Sequence, residues 1–269
     1  EFQKIIFFDL PEGKREYLKG LCERGIQLYL VVLESPLGES GNWNKDIHKY
    51  FKKVFTWNDS WVNNSKYIHL KPTNKVPDKI INDFSKKEKF CVMIAGYKFH
   101  KGKGELYSER ISALKWFEKN QPNKLDLYGF GWNKYVFTGV WNKLRLNRIV
   151  FFKDIFLKDK FKCYKGSVSS KREVLEKYKF SICYENAYGY EGYITEKIFD
   201  CFFAGCVPVY LGSSNISDYI PQGCFIDKRK YKSYNNLYLY MSSLSDQDYQ
   251  KYLDNIQTFL TSDLIKPFS

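Results

Sequence analysis

Short apolar runs alternate with segments of helical periodicity over the first 57 residues. Consecutive apolar residues occupy 5–8 and 28–33, and short apolar runs bounded by turn residues are typical of buried strands. Another strand is predicted at 53–57, and helical patterns lie between the strands at 14–24 and 46–53. This order of strand, helix, strand, helix and strand predicts a parallel sheet flanked by helices.

The same alternation returns after residue 88. Strands are predicted at 90–95, 125–128, 180–184 and 207–211, and helices at 105–119, 171–178, 194–204 and 235–260. The polar stretch 71–88 contains two prolines and predicts a linker. We therefore expect an α/β protein of two Rossmann-like parallel-sheet domains facing a cleft. The predicted domains are 1–75 and 89–240, and 241–269 is expected to form helices that pack back on the first domain.

Positive charge is spread along the chain instead of forming one block. The 269 residues include 43 Lys and Arg against 30 Asp and Glu, a formal net charge of +13. Such a charge suits nucleic acid, an anionic membrane surface or a phosphate-bearing substrate. Because the lysines form no dense cluster, we expect no nucleic-acid partner. Peripheral contact with an anionic membrane and the oligomeric state stay open.

The cysteines, the histidines and the hydropathy pattern indicate which compartment and which kinds of site to expect. The seven cysteines include no Cys-x-x-Cys pair, and the three histidines show no metal-ligand spacing. Free thiols, a reducing compartment and no metal site are therefore expected. No run of 18 apolar residues occurs, so we expect no transmembrane helix and a cytoplasmic protein. Asp246-Gln247-Asp248 lies in a polar stretch and predicts a helix start instead of a metal site.

The motif Glu34-Ser35-Pro36 ends the second predicted strand. Proline keeps the preceding residue extended and stops the strand, so Glu34 is expected at the carboxyl edge of its sheet, facing the cleft. A carboxylate there can act as general base on an acceptor hydroxyl. The alternative is an ordinary acidic residue in a strand-to-loop turn.

A loop rich in glycine and lysine, 97–104, joins a predicted strand to a helix. Glycines let backbone N–H groups approach a phosphate, and a helix N-terminus favours negative charge. Arg110 in the following helix can add a bidentate phosphate contact. The loop matches neither Gly-x-Gly-x-x-Gly nor a Walker A pattern, so an exposed loop with solvated lysines is the alternative.

Two further motifs follow the strand at 180–184. Glu185 and Asn186 come directly after it, where open α/β sheets bind ligands, and their side chains can hold sugar hydroxyls. The run Gly-Tyr-Ile-Thr-Glu-Lys (192–197) enters a helix, so Lys197 suits a diphosphate and Glu196 can accept hydrogen bonds from a sugar. The alternatives are a capping turn and an ordinary helix start with a solvated Glu-Lys pair.

These motifs stand in a longer pattern. Tyr-Lys-Phe-Ser-Ile-Cys-Tyr-Glu-Asn (178–186), the run at 192–197 and Ala-Gly-Cys-Val-Pro-Val-Tyr-Leu-Gly (204–212) follow one another in a fixed order. The order and spacing resemble those of the α-1,3/4-fucosyltransferases of glycosyltransferase family 10, with Tyr184 in place of the usual phenylalanine. Weaker matches, such as Leu-Tyr-Gly-Phe-Gly-Trp (127–132), extend the resemblance over about 28–230.

The resemblance implies a GT-B fold and an enzyme that transfers L-fucose from GDP-fucose, with inversion, to a glycan hydroxyl. By position, Glu34 is the implied general base and Arg110 and Lys197 the implied phosphate-binding pair. The other implied donor contacts are Tyr128, Glu185, Asn186, Tyr193 and Glu196. No cofactor is implied beyond the donor substrate, while stimulation by a divalent metal stays open. The first domain is the implied acceptor side, shortened or incomplete against the family norm.

Two alternatives remain at this point. A transferase of the same fold that uses another nucleotide sugar, such as UDP-xylose, would need few changes around Tyr193 and Glu196. A non-catalytic module that binds carbohydrate or nucleic acid would use the basic charge and the 19% aromatic content. That module would bind without turnover and would have no need of Glu34.

Overall fold

The chain folds around two sheets, each made of parallel strands. The computed structural model describes residues 3–100, 102–132 and 161–269. Of these residues, 4–69 contain the first sheet and 89–227 the second. The stretch 70–88 between the sheets contains neither helix nor strand, as expected of the predicted linker.

The first domain has four strands and one α-helix among its described residues. They are β1 (Lys4–Phe8), α1 (Arg15–Glu23), β2 (Gln27–Val32), β3 (Phe51–Thr56) and β4 (Tyr67–His69). The strand order is β1-β2-β3-β4, with Ile6 beside Tyr29. Gly25 follows α1 with a φ of 77°, a conformation that glycine adopts without strain. The helix predicted at 46–53 is a 3-10 helix, Lys45–Tyr50.

The second domain has a larger sheet with a reversal in its strand order. Its elements are β5 (Lys89–Ile94), α2 (Tyr107–Asn120), β6 (Leu125–Tyr128), α3 (Lys171–Leu175), β7 (Tyr178–Tyr184), α4 (Glu196–Phe203), β8 (Val207–Leu211) and β9 (Ile226–Asp227). The order is β6-β5-β7-β8-β9. The inner strands β7 and β8 are buried almost throughout, which explains their continuous apolar runs. The chain leaves β5 on one side for β6 and returns on the other side for β7.

The C-terminal helices complete the core of the second domain. They are α5 (Tyr234–Ser243), α6 (Asp246–Thr261) and a 3-10 helix, Asp263–Phe268. The buried face of α6 packs on α4, where the Phe202 and Phe259 rings lie 5.9 Å apart, and Tyr249 donates a hydrogen bond to the Lys179 carbonyl. The sequence predicts packing of 241–269 on the first domain. In the structure these helices pack mainly on the apolar surface of the second domain, while the Phe268 carbonyl also accepts hydrogen bonds from Asn74 at 2.6 and 3.3 Å.

Aromatic side chains join the two domains. Trp57 of the first domain contacts Tyr193 of the second with a ring separation of 4.7 Å, and Trp43 contacts Tyr190 at 5.5 Å. Both contacts lie beside the carboxyl ends of the two sheets, so they fix the orientation of the domains next to the cleft.

All seven cysteines are free thiols, and five of them are buried, which agrees with the expectation for the thiols. In the part of the chain that the structure describes, no helix has the length and apolar character required to cross a bilayer.

Candidate functional site

A cleft of about 620 Å³ opens at the carboxyl ends of the second domain's strands. Gly96 follows β5, Gly129 follows β6 and Asn186 follows β7, and all three line the cleft. Open α/β sheets bind ligands where the strand order reverses, which here is between β5 and β7. Leu33 and Glu34 of the first domain line the same cleft. The geometry therefore provides one binding site shared by both domains.

Six of the eight predicted site residues line this cleft. They are Glu34, Arg110, Asn186, Tyr193, Glu196 and Lys197. The structure brings Glu34 to within the same space as residues that lie about 75 to 165 positions later in the sequence. The roles of these residues stay predictions, but their common location is what a shared donor and acceptor site requires.

Lys197 lies in the first turn of α4, which Thr195 caps. The Lys197 ammonium donates hydrogen bonds to Glu185 Oε2 at 2.9 Å and to Thr195 Oγ1 at 3.1 Å. Burial alone lowers the pKa of Lys197, but the carboxylates of Glu185 and Glu196 outweigh burial and raise that pKa above its ordinary value. A fixed positive charge at a helix N-terminus is well suited to an anionic ligand.

Glu185 is fully buried and lies behind the cleft. Its carboxylate accepts hydrogen bonds from the Thr195 backbone N–H at 2.9 Å and from the Thr195 hydroxyl at 2.8 Å, besides the bond from Lys197. It also packs on Gly212, where an added Cβ would lie 2.4 Å from Glu185 Cγ. The sequence predicts a direct donor contact here. In the structure Glu185 is not among the residues that line the cleft, and its carboxylate orients Thr195 and Lys197, so the donor contact stays a prediction.

Arg110 projects from α2 towards the end of β7 and is 5% exposed. Its Nη2 donates to the carbonyls of Tyr184 and Glu185 and to Asn186 Oδ1, at 2.7, 2.8 and 3.1 Å. Burial lowers the pKa of the guanidinium, and Glu185 opposes that shift; arginine nevertheless stays charged at neutral pH. Arg110 thus fixes Asn186 and adds positive charge to the cleft.

Glu34 approaches the cleft from the end of β2. Asp9 Oδ1 accepts hydrogen bonds from the backbone N–H groups of Leu33 and Glu34 at 2.8 and 3.0 Å, which fixes this strand end. A Cβ at Gly38 would lie 2.3 Å from Glu34 Oε2, so the turn accommodates the carboxylate because residue 38 is glycine. No local pattern indicates a role for Asp9, since its partners are backbone groups of a distant segment.

Tyr193 joins the cleft to the aromatic domain contact. The residue is buried, and burial, with smaller contributions from Glu185 and Glu34, raises the pKa of its hydroxyl. The hydroxyl is therefore neutral at physiological pH and can donate or accept a hydrogen bond. Because Trp57 packs against this ring, the position of Tyr193 depends on the first domain.

Tyr128 does not line the cleft, although the sequence predicts a donor contact. Burial, followed by hydrogen bonds with Tyr128 and Asp126, raises the pKa of Tyr178, so Tyr128 lies on the side of the sheet that carries Tyr178. The next residue, Gly129, lines the cleft instead, and a Cβ there would lie 2.0 Å from the Ala95 carbonyl oxygen. The motif at 127–132 thus reaches the cleft through Gly129 and Phe130, and the donor contact of Tyr128 stays a prediction.

Two lysines beyond the predicted pair also line the cleft. Lys98 comes from the loop 97–104, of which residue 101 lies outside the described residues. Lys171 begins α3, donates a hydrogen bond to Asp200 at 2.8 Å and lies 4.0 Å from Glu196. With Arg110 and Lys197 they surround the cleft with positive charge. Lys98 belongs to the glycine- and lysine-rich loop in which the sequence allows a phosphate contact.

The C-terminal part of the chain matches a known family. Residues 151–264 match the family model described as Glycosyltransferase family 10 (fucosyltransferase) C-term. The resemblance predicted from 178–212 is therefore confirmed, and Lys197, Glu196 and Tyr193 all belong to the family 10 segment.

Curated relatives are fucosyltransferases. Over 79 residues the chain is 38% identical to the alpha-(1,3)-fucosyltransferase FucT of Helicobacter pylori, and this match covers 29% of the chain and 16% of that protein. Over 69 residues it is 41% identical to the alpha-(1,4)-fucosyltransferase of Arabidopsis thaliana, covering 26% and 17%. The human 4-galactosyl-N-acetylglucosaminide 3-alpha-L-fucosyltransferase 9 is 40% identical over 77 residues, covering 28% and 21%. The matches thus span about a fifth or less of each relative.

Solved structures share the fold over nearly the whole chain. An alpha1,3-fucosyltransferase covers 96% of this chain with a TM-score of 0.54, 16% identity and 69% coverage of its own chain. Anabaena HepE in complex with UDP-glucose covers 97% with a TM-score of 0.58, 10% identity and 76% coverage of its own chain. At these identities the likeness concerns the fold, and it confirms the predicted GT-B class of two parallel-sheet domains.

Proposed function

We propose that this protein moves L-fucose from GDP-fucose to a hydroxyl group of a glycan acceptor, with inversion at the anomeric carbon. The observation that supports this most is the shared cleft, which is lined by Glu34 of the first domain and by Lys197 of the segment that matches the family 10 model. A transferase needs a base for the acceptor and positive charge for the leaving diphosphate. The two domains supply one each.

In the proposed reaction Glu34 accepts the proton of the acceptor hydroxyl. The hydroxyl oxygen forms a bond to the anomeric carbon from the face opposite to the diphosphate, and the bond from that carbon to the phosphate oxygen breaks. The transition state is oxocarbenium-like, as in other glycosyl substitutions. The products are the fucosylated glycan and GDP, and the proton resides on Glu34.

The leaving group is where the basic side chains act. Lys197 and Arg110 neutralise the negative charge that develops on the diphosphate, and Lys98 and Lys171 add to the field. In this proposal the four basic side chains neutralise the leaving diphosphate, so the reaction needs no metal ion. Turnover with and without EDTA, and with added Mg²⁺ or Mn²⁺, tests that part of the proposal.

A donor panel tests the function itself. We expect release of GDP from GDP-fucose in the presence of glycan acceptors, and tighter binding of GDP than of UDP by calorimetry. Faster turnover of UDP-xylose or another UDP-sugar would mean that the protein carries out the same kind of transfer with a different donor. Binding of glycans with no turnover of any nucleotide sugar would show that the protein is a non-catalytic carbohydrate-binding module.

The proposed base can be tested apart from the donor. Glu34→Gln removes proton acceptance, so we expect a turnover loss of about 10²–10⁴-fold, the usual range for a general base. GDP affinity should stay within about twofold, because Lys197 and Arg110 remain. Glu39→Gln is the matched control, since Glu39 belongs to the same loop but does not line the cleft. Retention of turnover in Glu34→Gln would assign the base elsewhere.

A further inference from the structure

A buried lysine connects the two domains behind the candidate site. The Lys71 side chain is 1% exposed. Its ammonium donates to the carbonyl oxygens of Trp57 and Gly192 at 3.3 and 3.1 Å and to Asp59 Oδ1 at 3.2 Å. Lys71 belongs to the first domain's side of the linker and Gly192 to the second domain, 121 positions later. A lysine buried to this extent is rare unless its charge is paired.

Asp59 supplies that pairing and reaches the second domain itself. Its Oδ1 also lies 3.1 Å from His69 Nε2, and its Oδ2 accepts a hydrogen bond from Asn215 at 2.9 Å. Burial works to raise the pKa of Asp59, but hydrogen bonds from Asn215 and Tyr219 and the charge of Lys71 hold it below its ordinary value. Asp59 is therefore ionised at neutral pH, while burial lowers the pKa of Lys71 against the opposing effect of the Asp59 charge.

Both peptide groups of Gly192 are fixed, one from each domain. Its N–H donates to Asn215 Oδ1 at 2.7 Å within the second domain, and its carbonyl accepts from Lys71 of the first. Its φ is 80°, and an added Cβ would lie 2.3 Å from the Trp57 carbonyl oxygen. This glycine thus has no freedom to move while the domains are together.

Gly192 is the first residue of the segment that carries the donor-side groups. Tyr193 follows it and lines the cleft, and Lys197 lies five positions on, in the first turn of α4. Glu185 holds the far end of the segment through Thr195. The near end is held by Lys71, so the geometry of 192–197 depends on a residue of the opposite domain.

We propose that Lys71 is a positioning residue for the donor site, which couples docking of the first domain to the arrangement of 192–197. This inference rests on the proposed function for its enzymatic consequence. When the Lys71–Gly192 contact breaks, Tyr193 and the start of α4 lose their fixed position, and the sugar diphosphate binds more weakly. Lys71 itself does not line the cleft.

The test compares Lys71→Met with Lys66→Met. Lys66 is a half-buried lysine of the same domain whose ammonium donates to the Phe51 carbonyl, away from the cleft. For Lys71→Met we expect at least tenfold weaker GDP binding by calorimetry, a matching rise in the donor KM and a smaller fall in kcat. Amide hydrogen exchange in peptides covering 188–197 should be at least tenfold faster, while Lys66→Met leaves both quantities at wild-type values.

A second variant is needed if Lys71→Met does not fold because it leaves the buried charge of Asp59 without its lysine partner. Asp59→Asn combined with Lys71→Met removes both charges and should show the same faster exchange at 188–197 in a folded protein. Wild-type exchange and wild-type nucleotide affinity in either folded variant would overturn the proposal. Hydrogen exchange needs no ligand. A wild-type protein that binds neither GDP nor GDP-fucose would therefore defeat the proposed function and still leave the Lys71 contact to be judged by exchange.

Discussion

At Lys197 a single buried carboxylate sets both the charge and the direction of a side chain. Glu185 accepts from the Lys197 ammonium and from two groups of Thr195, the residue that caps α4. Because this carboxylate, together with that of Glu196, keeps the pKa of Lys197 raised, a diphosphate bound as proposed would meet an ammonium that is already charged and oriented. Preorganised charge of this kind costs no rearrangement during the reaction.

Substitution of Lys197 should therefore lower activity more than is usual for a partly exposed side chain. For Lys197→Ala we expect a loss of at least about a hundredfold in kcat/KM for GDP-fucose, the usual effect of removing one key electrostatic contact. Lys197→Arg keeps the charge and should retain part of the activity. Lys266→Ala, at an exposed lysine far along the chain, serves as control. Near-normal turnover in a folded Lys197→Ala would move the phosphate site elsewhere.

The variant Glu185→Gln tests whether Glu185 orients Lys197 or contacts the ligand directly. The amide cannot balance the Lys197 charge, so we expect a loss of about 3 kcal/mol in the free energy of unfolding, at the lower end for breaking a buried ion pair because Lys197 is partly exposed. Urea unfolding measures it. Glu196→Gln changes an exposed neighbour and should leave stability within about 0.5 kcal/mol. A stability loss in Glu196→Gln equal to that in Glu185→Gln would contradict the buried role.

At the scale of elements, the loop before α4 is where backbone and site are most tightly linked. Gly189 and Gly192 both have positive φ, 84° and 80°, but only Gly192 is crowded by the first domain. The pair therefore offers two substitutions with the same backbone strain and different steric consequences.

We expect Gly192→Ala to lower stability by about 3 kcal/mol and to weaken GDP binding severalfold. A Cβ would meet the Trp57 carbonyl in addition to the strain of positive φ. Gly189→Ala has no atom within 4 Å of the added Cβ and should cost only about 1 kcal/mol. Thermal unfolding and calorimetry with GDP measure both variants. Equal effects at the two positions would show that strain alone governs this loop.

Most elements follow from local patterns, and the exceptions have a common cause. The apolar runs at β2, β7 and β8 predict buried strands, and the structure confirms them. The strands β4 (Tyr67–His69) and β9 (Ile226–Asp227) lie at sheet edges and are too short to produce an apolar run. With three and two residues, these strands are defined by their pairing with a neighbouring strand, and the pattern of such a short segment does not contain that information.

The candidate site likewise combines features that a local pattern predicts with features that depend on the tertiary fold. The motif at 192–197 places Tyr193, Glu196 and Lys197 in the cleft, because a helix start at the end of a strand is a local feature. The side on which Glu185 lies depends on packing against Gly212, 27 positions later. The contact between Lys71 and Gly192 joins segments with no shared pattern. Such relations follow from the tertiary fold and become visible only in three dimensions.

For the whole molecule, the cleft requires both domains, so the stability of the first domain at different pH values also affects the cleft. His48 and His69, two of the three histidines, belong to the first domain. His48 Nε2 donates to the Asn42 carbonyl at 2.8 Å, and Nδ1 lies 3.1 Å from the Tyr67 hydroxyl. Burial lowers the pKa of His48, and Lys66 and Lys45 lower it further. Burial and the charge of Lys71 lower the pKa of His69, against the opposing effect of Asp59.

Acid should therefore weaken the folded state through these histidines. Below the ordinary histidine pKa of 6.5 the unfolded chain takes up protons that the folded protein does not, so the free energy of unfolding falls as pH falls. Carboxylates with lowered pKa, Asp59 and Asp126 among them, lose their contribution to stability only below their ordinary pKa of 3.8, so urea unfolding between pH 7.5 and 5.5 isolates the histidines. We expect His48→Gln, which keeps a donor for the Asn42 carbonyl, to lose less stability over this range than the wild type. An unchanged pH dependence in that variant would mean that His48 takes up its proton in the folded protein.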